Sequence, residues 1–266
     1  EQYRQLIEIA PNQSRYQFQL VRVYMQRGDR EKAVELLDRV RRRFRGQSDV
    51  YQKVAEAYLR YGMKEEALET YKRLVRMEPN NQSHIMSLGE SYYRSGNIEK
   101  AVETWKRLLD TPMDEAEART QLGQVFAEHG MIERGVRNYR KAVDLRPEEM
   151  AIRRGLANTY ERARRWAKAI EVWKHIMRNT DRPSIKGEAR GRIISIYKRQ
   201  HRLRSKLADF QERFSSDPPD LEAGHFLAEG HLKLNNYEKA EKTYRKLVEL
   251  DGTEDAGDIE ALEALE

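Results

Sequence analysis

Gly62-Met-Lys-Glu-Glu-Ala67-Leu-Glu-Thr-Tyr71-Lys-Arg-Leu74-Val75-Arg-Met-Glu-Pro79 is the stretch that decides the fold. The glycine at its head suits the left-handed backbone that closes a helix. Ala67, Tyr71, Leu74 and Val75 then recur at the three- and four-residue spacing of one helix face. Pro79 closes the segment. The same phrase follows Gly28, Gly96 and Gly130, so that with Gly62 the glycines form a ladder of 34-residue steps. A fixed period of this size marks a stacked repeat array rather than one globular core.

Working outward from that phrase, the blocks begin at Ser14, Ser48, Gln82, Ala116 and Met150. Their fifteenth positions are Gly28, Gly62, Gly96, Gly130 and Arg164, and the arginine predicts a turn that is strained or differently shaped. The eighth column reads Val21, Ala55, Gly89, Gly123, Ala157, and the twentieth Ala33, Ala67, Ala101, Gly135, Ala169. Small residues on facing surfaces let two helices approach to the short end of the usual range of about 8–10 Å. The eleventh column (Tyr24, Tyr58, Tyr92, Phe126, Tyr160) and the twenty-fourth (Leu37, Tyr71, Trp105, Tyr139, Trp173) read as packing between layers, not as a cofactor box.

These columns of small residue, aromatic, glycine, alanine, aromatic and proline resemble the tetratricopeptide repeat, with Pro79 and Pro147 in the closing position. The resemblance covers nearly the whole chain. It implies an all-α fold, an alpha-solenoid of antiparallel helix pairs stacked into a right-handed superhelix. Residues 1–13, with Tyr3, Leu6, Ile7 and Pro11, read as the second helix of an incomplete repeat. Five units fill 14–183, an irregular sixth takes 184–220, a seventh 221–254, and 255–266 is an acidic end or the start of a further repeat. The sequence therefore reads as part of a longer protein. In the sixth unit, aligning Tyr197 with the aromatic column sets the start at Gly187, three residues late. Ile194 and Lys206 then stand where small residues are wanted, which predicts helices pushed apart. In the seventh, Asn235-Asn236 replaces the turn glycine, because asparagine tolerates the left-handed region.

Composition narrows the chemistry. Of 266 residues, 35% are charged, as thin helical layers with much polar surface require. There is no cysteine, which removes disulfides, thiolate metal sites and a cysteine nucleophile. No apolar run approaches the about 20 residues of a membrane-spanning helix, and no signal-peptide pattern stands at the N-terminus. Walker A, HExxH and nucleophile-elbow motifs are missing, so no enzyme is expected and no catalytic, metal or cofactor residue is assigned. Asn12-Gln-Ser14 and Asn81-Gln-Ser83 match glycosylation sequons but sit where helix-starting residues belong. The basic run Arg39–Arg45 falls at a helix C-terminus, where cations favour the dipole.

Function should then lie on the stacked surface. The resemblance implies a concave groove lined by the first helix of each unit, binding a peptide or helical segment of a partner. The partner-facing positions it implies are Arg15, Phe18 and Arg22; Gln52 and Glu56; Met86, Glu90 and Tyr93; Gln124; Arg154, Asn158 and Arg162; and Lys198 and Arg199. Arg154 and Asn158 resemble half of the Lys–Asn carboxylate clamp of one subgroup of the family. Arg192 replaces the next asparagine, and Glu222 and Phe226 replace Lys and Arg, so chaperone-tail binding is not expected. Residues 150–220 hold 18 Lys and Arg against 8 Asp and Glu, a net +10, while the whole chain is +6. An acidic protein segment is the partner this charge favours. RNA is the alternative, although the groove columns mix Glu with Arg. A further alternative is a spacer or self-assembly module serving a catalytic domain elsewhere.

Overall fold

The computed structural model describes residues 1–251, and no strand occurs among the described residues. The acidic end at 255–266 lies outside the described residues. Two compact units make up the chain. The first, Glu1–Asp114, contains α1 (Gln2–Ile9), α2 (Ser14–Gln26), α3 (Arg30–Arg43), α4 (Ser48–Arg60), α5 (Lys64–Met77), α6 (Gln82–Arg94) and α7 (Ile98–Lys106). A 3₁₀ turn, Arg107–Asp110, extends α7. The second, from Glu115, contains α8 (Glu115–Glu128), α9 (Ile132–Leu145), α10 (Met150–Arg162), α11 (Trp166–Arg178), α12 (Pro183–Arg199), α13 (Leu203–Phe214), α14 (Leu221–Lys233) and α15 (Tyr237–Asp251). Within each unit, consecutive helices pack as neighbours.

α5 shows why these sequences become helices. Ala67, Thr70, Tyr71, Leu74 and Val75 are its buried residues. Glu65 and Glu66 lie in the first turn and Arg76 in the last, each with the sign the helix dipole favours. Before α5 the chain reverses at Gly62, whose φ is +73°. The following N–H, of Met63, reaches back to Tyr58 O at 2.8 Å, satisfying a carbonyl that the helix end leaves open.

The same closure recurs at Asp29→Tyr24, Asn97→Tyr92, Met131→Phe126, Arg165→Tyr160, Arg202→Tyr197 and Asn236→His231, each at 2.8–2.9 Å. Arg164 (φ 54°), His201 (φ 56°) and Asn235 (φ 60°) adopt the glycine conformation. The turn at Arg164 therefore keeps the shape of the others, and what differs is the cost of left-handed backbone for a residue with a Cβ.

Close packing follows from the small-residue columns. Ala33, Ala67, Ala101 and Ala169 are fully buried, as are the rings of Tyr58, Trp105 and Trp173. α8 and α9 approach most intimately, because both facing positions are glycine. A Cβ on Gly135 would stand 3.0 Å from Gly123 O, and one on Gly123 would stand 2.7 Å from the Tyr139 ring. The opposite extreme is α12 with α13, the least closely approached hairpin. Ile194 fills its small-residue position and is only 1% exposed, which holds the two helices apart as the sequence predicts.

One expectation needs correction. Asn81 does start a helix, its Oδ1 accepting from His84 N at 3.2 Å. Asn12 does not, because α2 begins after Gln13, and Asn12 Oδ1 instead accepts from Arg43 Nη2 at 3.2 Å. No helix among the described residues is long and apolar enough to cross a membrane.

Candidate protein-docking surface

In the first unit, α2 and α4 bring the first-helix positions of neighbouring repeats together. Arg15, Phe18 and Arg22 line a cavity of about 340 Å³ with Glu56, Lys53 and Arg60. Gln52 Nε2 donates to Glu56 Oε1 at 2.9 Å along α4, fixing the carboxylate at the cavity edge. Arg15 stacks 4.6 Å from the Tyr16 ring and bonds its hydroxyl. On α6, Glu90 pairs with Arg94 at 2.6 Å. Tyr93 lies 6.1 Å from the Trp105 ring, and Trp105 Nε1 donates to Met86 O at 3.2 Å. Met86, Glu90 and Tyr93 are half-buried, and Trp105 of α7 contacts the first and last of them.

In the second unit, Gln124 donates to Glu128 at 2.9 Å, repeating the Gln52–Glu56 arrangement on α8. The more elaborate cluster joins α10 to α12. Glu161 is 7% exposed, in a column where other repeats carry Met25, Leu59, Tyr93, Ala127 and Leu232. A carboxylate taken out of water is costly unless it is paired and hydrogen-bonded. Here Trp173 Nε1 donates to Oε1 at 2.9 Å. Oε2 faces Arg199 Nη1 at 3.4 Å and Arg192 Nη1 at 3.8 Å. Arg192 Nη2 also donates to Asn158 Oδ1 at 2.9 Å, and its guanidinium carbon lies 5.7 Å from the centre of the Trp173 ring.

The remaining expected residues have partners of their own. Arg154 Nη2 pairs with Glu188 at 2.5 Å. Arg162 Nη1 is 3.5 Å from Ala127 O at the end of α8, and Lys198 Nζ donates to Lys233 O at 3.0 Å at the end of α14. Both cations therefore cap neighbouring helix C-termini, a structural role that the column pattern does not reveal. Across this surface Arg154 meets Glu188, and Arg192 and Arg199 meet Glu161, while Arg162 and Lys198 reach backbone oxygens. Arg192 stands outside the set read from the columns. Its signal is the arginine in the clamp's asparagine position, two helices from an acid in a column that is apolar in the other units except for Lys198 in the sixth.

Profiles of the tetratricopeptide repeat match residues 1–57, 120–173 and 225–254. A profile of the bacterial transcriptional activator domain matches 46–115. No curated protein matches the chain. Among solved structures, a tetratricopeptide repeat protein from Parabacteroides merdae is 17% identical, covering 99% of this chain and 98% of that one, with a TM-score of 0.46. YrrB, a repeat protein with an unusual peptide-binding site, is 17% identical over 70% of this chain and 95% of its own, with a TM-score of 0.40. MamA from Desulfovibrio magneticus is 19% identical over 63% of this chain and 95% of its own, with a TM-score of 0.41. The three repeat matches and the helix-pair fold agree: this chain belongs to the tetratricopeptide repeat family.

Proposed function

We propose that the chain is a non-enzymatic scaffold that holds an acidic segment of a partner protein across α10 and α12. The observation that carries this reading is the Arg192 guanidinium. Asn158, Glu161 and the Trp173 face fix it on three sides, yet 40% of the side chain remains open. Its distance to Glu161, 3.8 Å, is too long for a well-formed hydrogen bond, so the fork retains donors for an incoming carboxylate. An arginine already held in place loses less side-chain freedom when it binds. Arg199 and Arg154 stand beside it as further cations, each shared with one internal acid.

Affinity capture from the native source tests the reading. The full chain and its Arg192→Glu variant are compared after both are shown to unfold at similar temperatures. Loss of an acidic-segment partner from the variant supports the proposal. Equal capture by both, or retention of RNA alone, overturns it.

A further inference from the structure

A second surface carries a different set of cations, away from the α10–α12 cluster. A cavity of about 500 Å³ opens between α13, α14 and α15. Leu207, Phe214 and Leu227 line its apolar part, and Gln211 and Thr243 stand at its wall. Lys239, Lys242 and Lys246 line it from one face of α15, at the three-, four- and seven-residue spacings that align side chains along a helix. Among the described residues, no carboxylate lines this cavity.

Some cations of this chain pair one turn away on their own helix, as Lys53 does with Asp49, Lys72 with Glu69 and Arg119 with Glu115. α15 itself contains such a pair, Arg245 with Glu241 at 2.8 Å. The three cavity lysines carry no ion pair among the described residues, and Lys246 is steadied instead over the Phe214 ring, 4.8 Å from its centre. His231 adds a buried Nδ1 with no hydrogen-bond partner among the described residues.

We propose that this cavity is a second protein-docking site, taking a short acidic segment that carries one large apolar side chain. Leu207, Phe214 and Leu227 receive the apolar group, and the lysines receive the flanking carboxylates. Lys239 and Lys246 are separated by about 10 Å along the helix axis, from seven steps of about 1.5 Å. That span matches about three residues of extended chain, so the recognised segment places its acids about three residues apart. The site lies mainly on the second helices α13 and α15, with Leu227 and His231 added from α14, whereas the proposed surface lies on α10 and α12, so the full chain can hold two segments at once.

The probe is a fluorescent acidic peptide bearing one phenylalanine and a benzophenone cross-linker, titrated against the full chain. Cross-links at Ala208, Gln211 or Thr243 are expected, with affinity falling about tenfold in Lys242→Glu/Lys246→Glu, as losing close charge pairs implies. Lys242→Gln/Lys246→Gln separates loss of attraction from added repulsion and should weaken binding by a smaller factor. The Arg192→Glu chain should still cross-link here, so failure of the α10–α12 proposal and failure of this one are distinguishable. Cross-links confined to α10 and α12, or affinity unchanged by the lysine variants, overturn the proposal.

Discussion

Trp173 donates its indole N–H to Glu161 Oε1 across 2.9 Å, with both groups buried. The equivalent indole two repeats earlier, Trp105, donates to the backbone oxygen of Met86. One column of the repeat thus offers the same donor twice and finds two different acceptors. The second is an acid that also faces two arginines of the next repeat.

Glu161→Leu restores the apolar character of the column but leaves the Trp173 N–H without an acceptor and two arginines without their acid. A loss of about 1–3 kcal/mol is expected from the stranded buried donor. Glu161→Gln keeps an acceptor and should lose less. Chemical denaturation of both variants reads the order, and equal stability of all three chains contradicts the assignment.

Gly135→Ala forces a Cβ to within 3.0 Å of Gly123 O, where backbone rather than a flexible side chain must give way. Overpacking of this kind should cost about 1–3 kcal/mol. Ala169→Gly, at the same column, tests the reverse defect: the site tolerates a Cβ, so removing it should also destabilise, by about 1 kcal/mol from helix propensity alone. Thermal unfolding of the two variants checks both signs.

The fold was legible because its evidence is periodic. A step of 34 residues repeated from Gly28 to Gly130 sets helix, turn and buried face together, and Arg164 could not hide the pattern. His201 was harder, since neither its residue type nor its place after a three-residue slip announces a left-handed turn. The candidate site was less legible for a related reason. Glu161, Trp173 and Arg192 meet through long side chains reaching between α10, α11 and α12, across the irregular connection where column counting loses its register. Arg162 and Lys198 look like groove residues by position, yet each reaches a helix C-terminus.

Arg164→Gly should stabilise the chain. The left-handed conformation costs a residue with a Cβ about 1–2 kcal/mol, and the greater freedom of glycine in the unfolded chain returns about half of that. A net gain of about 0.5–1 kcal/mol is expected, and Gly62→Ala should lose a similar amount. Because repeat arrays respond locally, amide exchange should slow chiefly in α10 and α11.

Acid should weaken both units through histidine. Burial lowers the pKa of His84, and Glu78 opposes that shift only in part. Burial, helped by Lys239, lowers that of His231. A base with a lowered folded pKa favours the neutral form on folding. Its contribution is complete above the unfolded value of about 6.5 and is lost as pH falls through the folded one. Unfolding temperature should therefore drop on acidification below about pH 6.5, and the drop should shrink in His84→Phe.

The most direct measurement concerns Arg192. A fluorescent acidic peptide without a large apolar residue is titrated against the full chain at increasing salt, alongside Arg192→Gln/Arg199→Gln. The account predicts saturable binding that weakens with salt and falls about tenfold in the double variant. Stability falls as well, because buried Glu161 loses both of its cations, so binding is compared well below the unfolding temperature of either chain. Binding of equal strength to the wild-type and double-variant chains would contradict it.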